Sequence, residues 1–264
     1  MSFSVKPTLP EGDIGQLLRM GWPRDRESRE VSSQRSASLF TRVGSHSSRI
    51  SKRSAQPSSS APRAISRGRL PVPLPSRPPR AERKFDTSVY GMRGVDDFRS
   101  GLRRLEHDPG SIIVAVHGAL STRGRPEPRA GYGVFVSGLA EGLNQNGLVP
   151  YMSPQTKENA ELVATIKALE IVQDLVMAGE DFTHVIIKST WAYLVNGLCV
   201  HIWKWAQNGF LNSDGQPMMN GRMFQYLHER VVLLEEKYGT RVSFCQVDKM
   251  YNVPATALAR EAVR

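Results

Sequence analysis

Across residues 31–81 the chain carries ten Arg or Lys and not one Asp or Glu. Charge of one sign, spaced by Ser and Pro and lacking a periodic apolar face, repels itself and cannot offset its ordering entropy by burial. The imbalance extends over residues 1–84, with 17 Lys/Arg against 6 Asp/Glu, 17 Ser and 10 of the 17 Pro. Residues 85–264 are close to neutral, with 18 Lys/Arg against 19 Asp/Glu. The partition predicts a disordered basic tail over 1–84, a linker over 85–110 and one domain over 111–264, long enough to close a hydrophobic core.

Such a tail is suited to hold RNA, DNA or an RNA–DNA hybrid, because neutralising phosphates releases counterions without a folded site. The plainer alternative is a spacer. Pro75, Pro78 and Arg80 have the spacing of a polyproline II ligand, which would give the tail a protein partner. Two cysteines, Cys199 and Cys245, are too few for a disulfide framework or a structural zinc site. No apolar run reaches the roughly 18 residues of a membrane span, and the first thirty residues match no secretory or transit signal. A soluble protein of the cytoplasm or nucleus, with no membrane association, is the expectation.

Beyond Glu106 the punctuation becomes regular. Short apolar runs at 111–116, 129–137 and 147–152 read as strands. Residues 157–177 repeat Leu162, Ile166, Leu169, Val172 and Val176 at helical spacing, with Gly179 just past the end. A strand at 183–188, short helices at 192–198 and 201–207, a long helix at 218–238, a strand at 241–247 and a Pro-opened helix at 254–264 follow. The order β-β-β-α-β-α-α-α-β-α is that of an α/β fold with a five-stranded mixed sheet flanked by helices.

Several ordered motifs then carry a resemblance. Arg129-Ala-Gly-Tyr-Gly-Val-Phe lies on the second strand, and Gln155-Thr156 with Asn159-Ala-Glu-Leu opens the first helix. Tyr193-Leu-Val-Asn-Gly, Trp203-Lys-Trp, Asn208-Gly-Phe and Gly215-Gln-Pro follow in order. Together they resemble type 1 ribonuclease H over about residues 111–264. The resemblance implies a two-Mg²⁺ nuclease that cuts the RNA strand of an RNA–DNA hybrid, with four carboxylates offsetting the metal charge. Aligned motif by motif, only Glu161 is retained. The other three positions fall on His117, Thr190 and Thr256, and the family's Gly-His loop after the fifth strand is shortened.

The resemblance also places Trp203, Lys204, Trp205 and Asn208 where relatives handle the DNA strand, with Phe210 beside them. Packing of both tryptophans onto the core is the alternative reading. Asp108 and Asp248 are candidate replacement carboxylates, and His117 with Glu161 could hold zinc or manganese. Three functions follow from the residues: a catalytically degenerate ribonuclease H-like module that binds nucleic acid or protein, an active ribonuclease H, or a protein-binding scaffold. The first is the expectation, with no cofactor; Mg²⁺ belongs to the second alone.

Overall fold

The computed structural model describes residues 83–87, 92–124 and 126–264. The tail reading, Pro75, Pro78 and Arg80 lie outside the described residues. Among the described residues there are seven strands: β1 (Gly94–Asp96), β2 (Arg103–Leu105), β3 (Ser111–Ser121), β4 (Arg129–Phe135), β5 (Gln145–Leu148), β6 (His184–Ser189) and β7 (Arg241–Gln246). The helices are α1 (Lys157–Met177), α2 (Ala192–Asn196), α3 (Ile202–Gln207), α4 (Gly221–Tyr238) and α5 (Val253–Ala262).

The main sheet has the order β5-β4-β3-β6-β7. β3, β4 and β5 pair antiparallel, and β6 and β7 run parallel to β3. A mixed five-stranded sheet with flanking helices, as the sequence predicts, is the observed architecture. On one face α1, α4 and the α2–α3 segment close the principal core around Leu162, Leu169, Leu194, Leu198, Phe224 and Phe244, all buried. On the other face α5 lies over β3 and β4.

That contact with α5 explains a glycine in β4. A Cβ on Gly133 would meet the Ala259 nitrogen and the Ala255 carbonyl oxygen, so only glycine lets the helix backbone approach so closely. The first residues of α5 include a proline in the opening turn, where its missing N–H costs no hydrogen bond.

Within 85–110, the stretch expected as a linker, the described residues carry strands and buried side chains. β1 and β2 pair as a hairpin, and Phe85, Leu102 and Leu105 are buried. Phe85 and Leu105 pack with Ile113, Ile186 and Cys245, covering the part of the sheet face that α5 leaves open. Before the hairpin, Lys84 bridges to Phe244 on β7, and Arg83 reaches Glu235 with both Nε (3.2 Å) and Nη2 (2.5 Å). The segment is too short and too charged to show periodicity, and its burial comes from the sheet it lands on.

Element boundaries differ from expectation where a residue serves another element. β3 runs through Gly118 to Ser121 because pairing with β4 continues to Arg129. β5 stops at Leu148, two residues before Pro150, which has no N–H to give a ladder. The two short helices expected at 192–207 are joined by a widened π turn at Gly197–His201. There a Cβ on Gly197 would come within 2.7 Å of the Phe224 ring. α4 begins at Gly221 rather than 218 because Asn220 adopts a left-handed conformation, φ 60°.

Candidate functional site

The pocket is built from the start of α1 upward. The Thr156 hydroxyl accepts the Asn159 N–H at 3.1 Å, capping the helix, and Asn159 Nδ2 donates to the Pro154 carbonyl at 2.8 Å. Gln155 donates to the carbonyls of Pro150 (2.9 Å) and Ser153 (3.0 Å) and accepts the Ala130 N–H at 3.0 Å. These bonds fix the first turn of α1 against β4 and aim Glu161 across β3. A Cβ on Gly118 would lie 2.5 Å from both the Glu161 nitrogen and the Lys157 carbonyl oxygen, so the close approach requires glycine.

Glu161 is 1% exposed. Its Oε2 accepts the Gly118 N–H at 2.5 Å and its Oε1 accepts the Ser189 hydroxyl at 2.5 Å. Ser189 Oγ in turn accepts the Trp191 N–H at 2.9 Å. Burial pushes the Glu161 carboxyl up to about 7, against the opposing pull of Ser189, Gly118 and Lys157.

His117 stands beside it, 7% exposed. Its Nδ1 lies 3.7 Å from Glu161 Oε2 and 3.5 Å from the Thr190 hydroxyl. Burial first, then the positive charges of Lys157, Arg260 and Lys249, push the imidazole down to about 4, so it is neutral at pH 7. Glu161, His117 and Thr190 are thus brought together. Thr256 joins them only indirectly: its hydroxyl donates to the Asn252 carbonyl at 2.9 Å, and Asn252 Nδ2 donates to the Val116 carbonyl at 2.8 Å.

Two divalent ions need several anionic oxygens facing them. Here the one carboxyl directs both oxygens at protein donors, its burial favours the neutral acid, and the nearest charges are cations. The residues do not fit a pair of divalent ions. No group of three or more His, Cys, Asp or Glu among the described residues is placed to hold a metal. The replacement carboxylates do not repair this. Asp108 lies 3.7 Å from His184 Nδ1 at the opposite end of β6, and Asp248 is an exposed residue preceding the turn Lys249–Tyr251.

The residues proposed to touch nucleic acid divide. Trp203 is buried, with the Arg83 guanidinium 4.6 Å over its ring and His228 edge-on at 5.2 Å, so its ring has no free face for a base. Trp205 is half-buried against Phe224, Tyr193 and His201. Lys204 and Asn208 are exposed, and Asn208 Nδ2 closes the turn by donating to the Leu211 carbonyl at 2.8 Å. Both tryptophans therefore pack the α2–α3 segment onto the core.

Several residues that shape the pocket carried no sequence signal of their own. Ser189 and the Gly118 N–H hold Glu161, Asn252 stitches the turn after β7 to β3, and Lys157, Lys249 and Arg260 set its charge. Each is a common residue at a helix start, a strand end or an exposed helix position, and only the fold brings them together.

No protein-family model matches the chain. Ribonuclease H of Crithidia fasciculata is 28% identical over 174 residues, covering 57% of this chain, and mouse ribonuclease H1 is 29% identical over 119 residues, covering 45%. The aligned parts span 34% and 39% of those relatives' own length. Among solved structures, the solution structure of the PFV RNase H domain is 17% identical with a TM-score of 0.42, covering 58% of this chain and 93% of its own. LC11-RNase H1 in complex with RNA/DNA hybrid is 21% identical with a TM-score of 0.37, covering 58% of this chain and 96% of its own. The likeness in sequence, joined to the strand order and the flanking helices, gives this chain a ribonuclease H-like fold of type 1.

Proposed function

We propose that the domain is a catalytically silent ribonuclease H-like module that binds nucleic acid without cutting it. The observation that carries this reading is the state of Glu161: the one carboxyl at the pocket is buried and already committed to Gly118 and Ser189. Phosphoryl transfer by two metals draws its rate from charge held in place by free carboxylate oxygens, and one committed acid cannot supply it. His117, Thr190 and Thr256 add no anionic oxygen. The curated proteins that this chain is similar to are ribonucleases H, which supports nucleic acid as the ligand of the domain.

The test uses the full chain with an end-labelled RNA–DNA hybrid and Mg²⁺. The expected result is an intact RNA strand over hours together with a salt-dependent rise in anisotropy. Cleavage that disappears in Glu161→Gln would overturn the reading. Introducing His117→Asp, Thr190→Asp and Thr256→Asp together is expected to leave the chain inactive, since the positive charges of Lys157, Lys249 and Arg260 still act there and the loop after β7 stays short.

A further inference from the structure

The cations around His117 come from three separate elements, and the backbone places each of them. The Lys157 carbonyl lies against Gly118. Lys249 belongs to the turn that Asn252 ties to the Val116 carbonyl, and the Asn252 N–H also closes that turn on the Lys249 carbonyl at 3.1 Å. Arg260 follows Ala259, whose nitrogen faces Gly133, the cross-strand partner of His117. All three side chains are exposed, and among the described residues none makes an ion pair or a side-chain hydrogen bond. Glu158, Asp248 and Glu261 adjoin them in sequence, yet none counts among the charges acting on His117, and Glu261 accepts from Asn146 Nδ2 at 3.3 Å.

The position that the family resemblance assigns to metal cations thus has three side-chain cations anchored around it through their backbone. We propose that this pocket is a metal-free phosphate clamp, in which Lys157, Lys249 and Arg260 take a backbone phosphodiester of a nucleic acid directly. The inference rests on the nucleic-acid-binding reading and names the group that the site takes. A metal would both hold the phosphate and activate water; lysine and arginine do only the first, by charge and by N–H donors. Exposed Tyr251, two residues from Lys249, offers a ring on which an adjoining unpaired base can stack.

Anisotropy titrations of the full chain in EDTA, with a labelled single strand and a hybrid at several salt concentrations, test the clamp. The variants are Lys157→Gln, Lys249→Gln and Arg260→Gln, singly and together, with Arg222→Gln plus Lys237→Gln as a charge control away from the pocket. Binding is expected to persist without divalent metal. The triple variant should weaken it about 30-fold or more and lower the salt slope by about one, since the single phosphate contact it removes carries roughly 0.7–0.9 of slope. The control should change both by far less. In parallel, inorganic phosphate should shift the His117 ring signals in NMR spectra of the wild type and leave those of the triple variant in place.

A triple variant with unchanged affinity and slope overturns the clamp while leaving nucleic-acid binding intact. A phosphate-induced shift of His117 alongside that unchanged affinity means an adventitious ion only, and also overturns it. Absence of nucleic-acid binding by the wild type overturns both this inference and the reading beneath it, whereas metal-dependent cleavage strikes the silent-module reading alone.

Discussion

β3 and β6 run side by side, and each end of the pair buries a histidine. At the start of β6, His184 Nδ1 lies 2.9 Å from Arg241 Nη2 and its Nε2 lies 2.9 Å from the Ser243 hydroxyl. A guanidinium can only donate, so Nδ1 accepts, and Nε2 carries the proton and donates to Ser243. A tilted ring contact with Phe85, centroids 5.8 Å apart, completes the site. His117, toward the other end of β3, has polar neighbours only at 3.5 and 3.7 Å, too long for strong hydrogen bonds. Both rings are buried and both are held down to about 4. One is locked by its partners and the other is merely enclosed. Equal burial and equal neutrality therefore conceal two roles: His184 secures the sheet, and His117 lines a pocket whose polar atoms are not fully engaged.

The comparison breaks most violently through the backbone at the pocket end. Gly118→Ala puts a methyl 2.5 Å from two main-chain atoms, and neither can rotate aside. A loss of about 3 kcal/mol or more is expected, at the severe end of overpacking, read from urea midpoints. A loss below about 1 kcal/mol would show that α1 can withdraw from β3 and that the aim of Glu161 is adjustable.

At the opposite end, His184→Ala removes the two hydrogen bonds that the ring makes with Ser243 and Arg241. About 2–4 kcal/mol is expected from the lost hydrogen bonds and the cavity together. A cost equal to that of the corresponding change at His117 would erase the distinction between the two ends.

How much of this was legible in the sequence follows the kind of interaction involved. α1 was legible to the residue, because its apolar positions recur at helical spacing and Thr156 caps it. The mixed five-stranded sheet was legible in the order of the elements and in the motifs. The hairpin at 94–105 was not, because three-residue strands carry no period and gain their burial from Ile113, Ile186 and Cys245 far along the chain. Nothing in the sequence marks Gly118 as the point where a strand approaches a helix most closely. The replaced positions His117, Thr190 and Thr256 came from motif alignment, whereas the cations came from nothing local: Lys157, Lys249 and Arg260 are ordinary surface residues until three elements converge.

Titration sharpens the contrast between the carboxyl and the two rings. Both histidines sit below their ordinary value of 6.5, so stability is full above that pH and falls as pH drops through about 4, where only the unfolded chain readily takes up protons. Glu161 acts with opposite sign. Its carboxyl sits above the ordinary 4.5, so its contribution is complete below pH 4.5 and is lost as pH rises through about 7. Glu161→Gln, which cannot ionise, should therefore gain stability with pH more steeply than the wild type between about 4.5 and 7. Parallel curves in denaturation series across that window would mean that Glu161 is ionised in the fold throughout, and that its burial is offset by the surrounding donors and cations.

The smallest effect is expected at His117 itself. His117→Asn keeps a polar group beside Thr190 and Glu161 while removing a ring that makes no short hydrogen bond, so a cost of about 1 kcal/mol or less is expected. The change also removes a buried group that must stay neutral, which flattens the acid limb of the stability curve between about pH 4 and 6.5. His184→Asn should flatten the same limb, but only after a larger loss at neutral pH, because asparagine cannot reach both Ser243 and Arg241. The pair of substitutions separates the two histidines on one axis and equates them on the other: different cost at pH 7, similar loss of acid sensitivity. A His117→Asn variant as destabilised as His184→Asn at neutral pH would show that the pocket is held by its histidine, and that its polar groups are not free to receive a ligand.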